Sequence, residues 1–298
     1  MWFYKILILT LLLVFPVFSE ESSTSKPCLQ GDCQDGEGIY LDEIGNLYRG
    51  TFSKGFFSGK GASIFKNGDV YTGDYSSGKP EGFGSYHFHN GDFYTGNLKE
   101  GRLEGRGYAN SYHGHRYIGN FKKQKFHGVG YYIYPDTTSF FGNFEDGFPR
   151  GKGLLIGKNG SMYAGEFDGI SNIPRGFFIH PKSNRIYGLV EESKITKKPE
   201  YIHSAGERYA GNLENDKFSG NGVLISELGN LYYGNFVEGK LEGEGIFLSS
   251  AGNKYYGFFK DNRFHGKGTL YDKEGYEIYS GEWENGAPVN KEIKELQN

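Results

Sequence analysis

Four histidines stand in pairs whose spacing suits metal chelation: His87 with His89, and His113 with His115. Residues two apart on a strand share a face, so each pair could offer two imidazoles to one ion. The sequence fixes no third ligand, and both pairs are expected to be polar side chains at a hairpin tip and its adjacent strand. His127 and His265 precede a Gly-x-Gly in equivalent places and belong to a repeat rather than to a site. Glu100, Glu104, Glu238, Glu242 and Glu244 recur at turn and edge positions, which predicts solvated carboxylates and not an acid and base pair. The Gly-x-Gly segments lack the following helix whose N-terminus a phosphate-binding loop needs. No Ser or Cys is matched to a His and an acid as a nucleophile requires. The expectation is a chain with no catalytic residue, no metal and no cofactor.

The only two cysteines, Cys28 and Cys33, are close enough in sequence to form a short disulfide loop in an oxidising compartment, two free thiols being the alternative. Such a loop removes little entropy from the unfolded chain, so its contribution to stability is expected to be modest. The N-terminus points to that compartment. Lys5, the apolar run Ile6 to Phe18 with Pro16 inside it, then Ser19 and the polar stretch Glu20 to Lys26, have the layout of a signal peptide over residues 1–19. The run is shorter than the roughly 20 residues a spanning helix needs, which predicts a secreted or extracytoplasmic protein, with an N-terminal signal anchor in a membrane as the alternative. A formal net charge of −3 supplies no basic footprint, so nucleic acid is not an expected partner. Asn159, Gly160 and Ser161 form a glycosylation sequon, relevant in a eukaryotic cell.

What carries these residues is a repeat. Glycine numbers 48 and Tyr plus Phe 24 and 25, an abundance that calls for a periodic cause. The pattern Tyr-x-Gly-x-aromatic begins at Tyr48, Gly50 and Phe52 and returns every 23 residues: Tyr71, Gly73, Tyr75; Tyr94, Gly96; Tyr117, Gly119, Phe121; Phe140, Gly142, Phe144; and Tyr163, Gly165, Phe167. After a gap of twice that period it resumes with Tyr209, Gly211; Tyr232, Gly234, Phe236; Tyr255, Gly257, Phe259; and a half-copy one residue late at Tyr279, Gly281, Trp283. All but two leading aromatics, Tyr163 and the half-copy's Tyr279, are followed by a Gly-x-Gly: Gly59 and Gly61, Gly82 and Gly84, Gly105 and Gly107, Gly128 and Gly130, Gly151 and Gly153, Gly220 and Gly222, Gly243 and Gly245, Gly266 and Gly268. Gly36 and Gly38 are the second half of a truncated first copy. In the gap, Ile186, Gly188 and Val190 keep the phase, while Pro174 replaces one Gly and Lys197 and Pro199 replace the next Gly-x-Gly.

The period-two beat makes each copy two short strands, with turn chemistry at Lys54-Gly55 and Asn67-Gly68 between them. Strand glycines two apart weaken a sheet unless aromatic rings lie over the bare backbone, so ring coverage is the expected compensation. The organisation expected is a signal peptide 1–19, a polar leader with the Cys pair 20–33, and an array 34–173 of a half-repeat plus six copies. A degenerate repeat 174–208, an array 209–288 of three copies plus a half-copy, and a polar tail 289–298 follow. The reading favours a continuous rod with an irregular middle over two arrays joined by a linker.

Tyr-x-Gly-x-Phe followed by Gly-x-Gly at this period resembles the MORN repeat (membrane occupation and recognition nexus), over residues 36 to 288. The resemblance implies an all-β fold, an elongated, twisted, single-layer antiparallel sheet of tandem hairpins. With no catalytic constellation in the sequence and open edges at each end of a single sheet, the favoured reading is a noncatalytic scaffold that engages a protein partner or a second copy through a sheet face or those edges. The family's name implies a peripheral membrane or lipid-binding protein as the alternative, with Lys122, Lys123 and Lys125, and Lys194, Lys197 and Lys198, as the basic patches.

Overall fold

The computed structural model describes residues 28–169, 176–180, 186–191, 194–196, 201–202 and 206–290. The expected signal peptide, leader residues 20–27, Pro174, Lys197, Lys198, Pro199 and the tail beyond Asn290 lie outside them. No helix occurs among the described residues, and none of their segments is a helix long and apolar enough to cross a membrane.

Sixteen strands follow one another in sequence order in a first antiparallel sheet. They are β1 (Cys28–Gly31), β2 (Glu37–Leu41), β3 (Leu47–Ser53), β4 (Phe56–Ile64), β5 (Val70–Ser76), β6 (Lys79–His87), β7 (Phe93–Lys99), β8 (Arg102–Asn110), β9 (Arg116–Lys122), β10 (Lys125–Ile133), β11 (Ser139–Glu145), β12 (Phe148–Ile156), β13 (Met162–Asp168), β14 (Gly176–Ile179), β15 (Ile186–Glu191) and β16 (Lys194–Thr196). A second sheet holds β17 (Tyr201–Ile202), β18 (Arg208–Glu214), β19 (Lys217–Ile225), β20 (Leu231–Val237), β21 (Lys240–Leu248), β22 (Lys254–Lys260), β23 (Arg263–Tyr271), β24 (Glu277–Glu284) and β25 (Ala287–Pro288). The tandem-hairpin, all-β architecture is therefore as expected. Continuity is corrected: the hydrogen-bond ladder breaks between β16 and β17.

Two turn types alternate. Within a copy, two-residue loops such as Lys54-Gly55 (φ 52° and 77°), Glu100-Gly101 (50° and 74°) and Asp261-Asn262 (51° and 65°) have positive φ at both residues, the type I′ geometry that matches strand twist. Between copies the loop is longer. At Phe65–Asp69, Phe65 N–H donates to the Asp69 carbonyl (2.9 Å) and Gly68 N–H to the Phe65 carbonyl (2.8 Å), and only Gly68 has positive φ (92°). Asn67-Gly68 is thus a three-residue turn ending in a left-handed glycine, not the two-residue turn its sequence suggests; Lys54-Gly55 takes that role.

The chain divides into two compact units at Gly128 and Val129. In residues 28–128 the sheet is one layer, with its rings packed over one face: Tyr48, Tyr71, Tyr86, Tyr94 and Tyr117 are essentially inaccessible to solvent. In residues 129–290 two stretches of hairpin sheet share a core. Phe141, Leu154, Ala164, Phe177 and Ile179 of the first sheet form one cluster with Val223, Tyr233, Ile246, Tyr256 and Tyr271 of the second. Phe141 meets Tyr271 edge-on at 5.5 Å, and Tyr271 Oη donates to the Val129 carbonyl (3.3 Å).

Candidate functional site

The framework residues split into parts with different jobs. Tyr71 shows the arrangement. Gly73 and Gly84 are register partners on β5 and β6, and the Tyr71 ring lies over both. A Cβ on Gly84 would stand 2.3 Å from Tyr71 Oη and 2.5 Å from its Cε2, and one on Gly73 would stand 2.5 Å from Tyr71 Oη and from Gly84 Cα. The hydroxyl donates to the Asp74 carbonyl (2.9 Å). The same bond recurs at Tyr48, Tyr94, Tyr117, Tyr209, Tyr255 and Tyr279, each to the residue three further on. Phe140 covers Gly142 and Gly153 without a hydroxyl. The expected ring coverage of bare backbone is present.

The first glycine of each Gly-x-Gly does something else. Gly82 has φ +82° and its added Cβ would meet only the side chain of Asp74 at 3.3 Å. Between the pairs Gly73↔Gly84 and Tyr75↔Pro80 the second strand carries two more residues than the first, a bulge that a left-handed glycine makes feasible. Gly59, Gly105, Gly128, Gly151, Gly220, Gly243 and Gly266 share the positive φ. Sequence reasoning put both glycines of the pair under rings; the structure puts only the second there.

The truncated first copy has no tyrosine for Gly38, which pairs with Gly50. Cys33 Sγ occupies the seat instead, 2.8 Å from where a Cβ would be, and Cys33 is bonded to Cys28. The disulfide links β1, the edge strand paired with β2, to the residue whose sulfur covers Gly38. At the other end, β25 closes the second sheet with Pro288, a residue that blocks strand addition.

The candidate chemistry read from sequence resolves into staples. Glu81 and Glu104 accept the backbone N–H of Glu100 (2.7 Å) and Lys123 (3.0 Å), and Glu242 accepts that of Asp261 (2.8 Å), so these carboxylates secure the next two-residue turn. Glu104 and Glu242 are therefore bonded and not merely solvated, which corrects the expectation for them. Glu238 pairs with Lys217, and Glu244 accepts from Tyr256 Oη (3.0 Å). Asp69 is buried and receives His89 N–H and His89 Nδ1, both at 2.8 Å, joining successive loops. These bonds hold its carboxyl below the usual range against the opposing effect of burial. The His87 ring packs at a tilt of 54° against Phe93, centroids 4.7 Å apart. Burial, and then the nearby His113, push His115 down. No group of three His, Cys, Asp or Glu gathers among the described residues.

Lys254 was missed. It is buried, its Nζ donates to the carbonyls of Gly252 (3.1 Å), Lys273 (3.0 Å) and Asp272 (3.4 Å), and it lies 4.4 Å from the centre of the Tyr131 ring. A lysine opening an ordinary Lys-Tyr-Tyr-Gly strand gives no sequence signal for this. Burial pushes its pKa down to about 8 despite Asp272 and Glu274. The folded value lies below the unfolded one, so Lys254 favours the fold fully only above the ordinary lysine range, and that contribution disappears as pH falls through 8. Comparing wild type with Lys254→Met, the stability difference should shift by about 2 kcal/mol in favour of wild type between pH 7 and 10. Urea melts at the two pH values check this; a pH-independent difference would show that the amine is not desolvated.

The face opposite the rings separates the two units. In residues 28–128 its central row, read strand by strand through the register, is Ile39, Arg49, Ala62, Thr72, Ser85, Thr95, Tyr108 and Ile118. The next row is Leu41, Leu47, Ile64, Val70, His87 and Phe93. Ile64 is 50% exposed and Phe83, on the same face, 57%. In residues 129–290 the equivalent central row is Phe141, Leu154, Ala164 and Phe177 in one sheet and Ala210, Val223, Tyr233, Ile246 and Tyr256 in the other. Those residues are the shared core. Two positions per copy, the x of Tyr-x-Gly and the residue after Gly-x-Gly, thus record whether this face is covered. Arg49, Thr72, Ser85 and Thr95 lie on the open stretch among Ile39, Ala62, Tyr108 and Ile118, whereas the covered stretch carries only Phe, Leu, Ala, Val, Ile and Tyr.

Comparisons with known proteins agree with the repeat. The family model described as "MORN repeat" matches residues 48–70, 71–93, 117–139, 140–162, 209–227, 232–254, 255–275 and 279–290. It passes over the copy led by Tyr94, which nonetheless has the ring, the bulge and the hydroxyl bond of its neighbours. No curated protein matches the chain. Among solved structures, the TCP domain of Drosophila melanogaster SAS-4 (dCPAP), in complex with a proline-rich motif of Ana2, is 12% identical with a TM-score of 0.37, over 58% of this chain and 96% of that one. The TCP10 domain of Danio rerio CPAP, in complex with a STIL peptide, is 11% identical with a TM-score of 0.25, over 84% and 96%. A virginiamycin B lyase from Staphylococcus aureus has a TM-score of 0.14 at 11% identity, over 87% and 73%. Likenesses this slight carry no argument. The repeat matches span more than half of the chain in the register of its covered glycines, and the protein belongs to the MORN repeat family.

Proposed function

We propose that this chain is a noncatalytic protein-interaction scaffold working outside the cytoplasm, and that it engages its partner through the open face of residues 28–128. The observation that carries the reading is the contrast between the units: the same face of the same repeat is a buried core in residues 129–290 and a surface in residues 28–128. That surface sets an apolar row, Leu41, Leu47, Ile64, Val70 and Phe93, beside a central row in which Arg49, Thr72, Ser85 and Thr95 mix with apolar residues, a mixed polarity like that of interfaces that form and separate. The apolar run Ile6 to Phe18 and the bonded pair Cys28–Cys33 support export. A second copy of the chain is one candidate partner. A second reading, contact with an anionic membrane, is favoured by Lys122, Lys123 and Lys125, all exposed around one two-residue turn.

The test is capture of partners from the native source by the full chain and by an Ile64→Asp, Phe83→Asp variant. Both positions are exposed, so the variant should melt within about 1 kcal/mol of wild type. Loss of the captured partner by at least tenfold is expected. Undiminished capture would remove the open face from the reading, and binding to anionic vesicles that disappears in Lys122→Glu, Lys123→Glu would favour the membrane instead.

A further inference from the structure

We infer that Asn159 is a site for attachment of an N-linked glycan, an inference that rests on the extracytoplasmic reading above. Asn159-Gly160-Ser161 is the only Asn-x-Ser/Thr in the sequence whose middle residue is not proline. It forms the tip of an inter-copy loop in which Gly157 N–H donates to the Ser161 carbonyl (2.7 Å) and Gly160 N–H to the Gly157 carbonyl (2.8 Å). Lys158, Asn159 and Gly160 are all exposed.

Two other loops of this shape carry Asn-Gly at the same place, and they differ in the polarity of one bond. At Asn67 and Asn90 the residue after the glycine is an aspartate, and the amide nitrogen donates to its carboxylate: Asn67 Nδ2 to Asp69 Oδ2 at 2.8 Å, Asn90 Nδ2 to Asp92 Oδ2 at 2.9 Å. At the third loop Ser161 N–H and Ser161 Oγ both donate to Asn159 Oδ1, at 3.0 and 2.7 Å. A backbone N–H can only donate, so it fixes the oxygen's position and the hydroxyl's role. In all three loops the backbone N–H two residues on donates to the asparagine Oδ1, from Asp69 to Asn67 and from Asp92 to Asn90 at 3.0 Å as from Ser161 to Asn159. The aspartate carboxylates engage the amide nitrogen as well, whereas the serine hydroxyl adds a second donor to the oxygen. It is the nitrogen that must react. In the transfer, Asn159 Nδ2 forms a bond to the anomeric carbon of a lipid-pyrophosphate-linked oligosaccharide, the carbon–oxygen bond to the pyrophosphate breaks, the lipid pyrophosphate leaves, and the amide proton passes to a base of the transferring enzyme. The exposed tip lets the folded chain carry the sugar without burying it.

The full chain is expressed in cultured animal cells in two forms, with its own first 27 residues and with an established secretory leader in their place. Intact mass is then read before and after endoglycosidase. One glycan is expected on both forms, abolished by Asn159→Gln and Ser161→Ala and retained by Ser161→Thr. Secreted chain without sugar in both forms overturns the site and leaves the location standing. A glycan only on the form with the borrowed leader supports the site and sinks the location. A glycan that persists in Asn159→Gln also overturns the assignment.

Discussion

Gly84→Ala is expected to cost about 3 kcal/mol or more, and Gly82→Ala, two residues away in the same strand, only about 1 kcal/mol. The methyl added at position 84 would stand 2.3 Å from the Tyr71 hydroxyl oxygen, and that ring is inaccessible to solvent and edge-packed against Tyr75 at 5.1 Å. It cannot move without unpacking its neighbours. The methyl at position 82 meets no backbone, and its cost is the left-handed φ of +82° alone, which Gly82→Asn should largely avoid. Denaturant midpoints of the full chain rank the variants. A decisive control is Gly84→Ala placed in a Tyr71→Leu background, where the clash is gone and the added cost should fall below about 1 kcal/mol. Equal costs at 82 and 84, or no coupling to Tyr71, would refute the separation of roles between the two glycines.

The second large effect is alkaline. Burial pushes the Tyr48 and Tyr132 hydroxyls up to about 12, and those of Tyr71, Tyr75, Tyr86 and Tyr94 higher still. A folded pKa above the unfolded one, near 10, means stability that is complete below pH 10 and lost as pH rises toward the folded value. At pH 11 each such ring forfeits about 1.4 kcal/mol. Five of them lie in residues 28–128, so the loss there amounts to several kcal/mol, on the scale of the stability of an ordinary domain. Tyrosinate absorbance and the β-sheet circular dichroism signal should therefore change together in one steep transition above pH 10. Tyrosines that titrate gradually around pH 10 while the sheet signal persists would show that the rings are not sealed.

The hairpin fold was legible because its cause is local. Tyr71, Gly73 and Gly84 announce themselves by type and spacing, and the ring over two glycines needs no distant partner. The role of Gly82 was not, because a glycine needed for positive φ and one needed for clearance look identical in sequence. Asn67-Gly68 misled for a related reason: loop length, set by where pairing resumes at Val70, decides the turn type and not the dipeptide. The two-layer core was present in the sequence at Phe141, Leu154, Val223 and Ile246, but the ring pattern already accounted for one buried face and hid the second periodicity. Lys254 lies against the ring of Tyr131, more than a hundred residues away, and no local pattern encodes that.

The change of side-chain type along the central row, from Thr95 to Tyr108, Ile118 and onward, also acts as a ruler. Each copy that carries small or hydroxylated residues at its two coding positions widens the bare platform by two strands, about 10 Å at ordinary strand spacing. Duplicating or deleting a copy upstream of that point would lengthen or shorten the bare face in such steps, leaving the covered portion untouched.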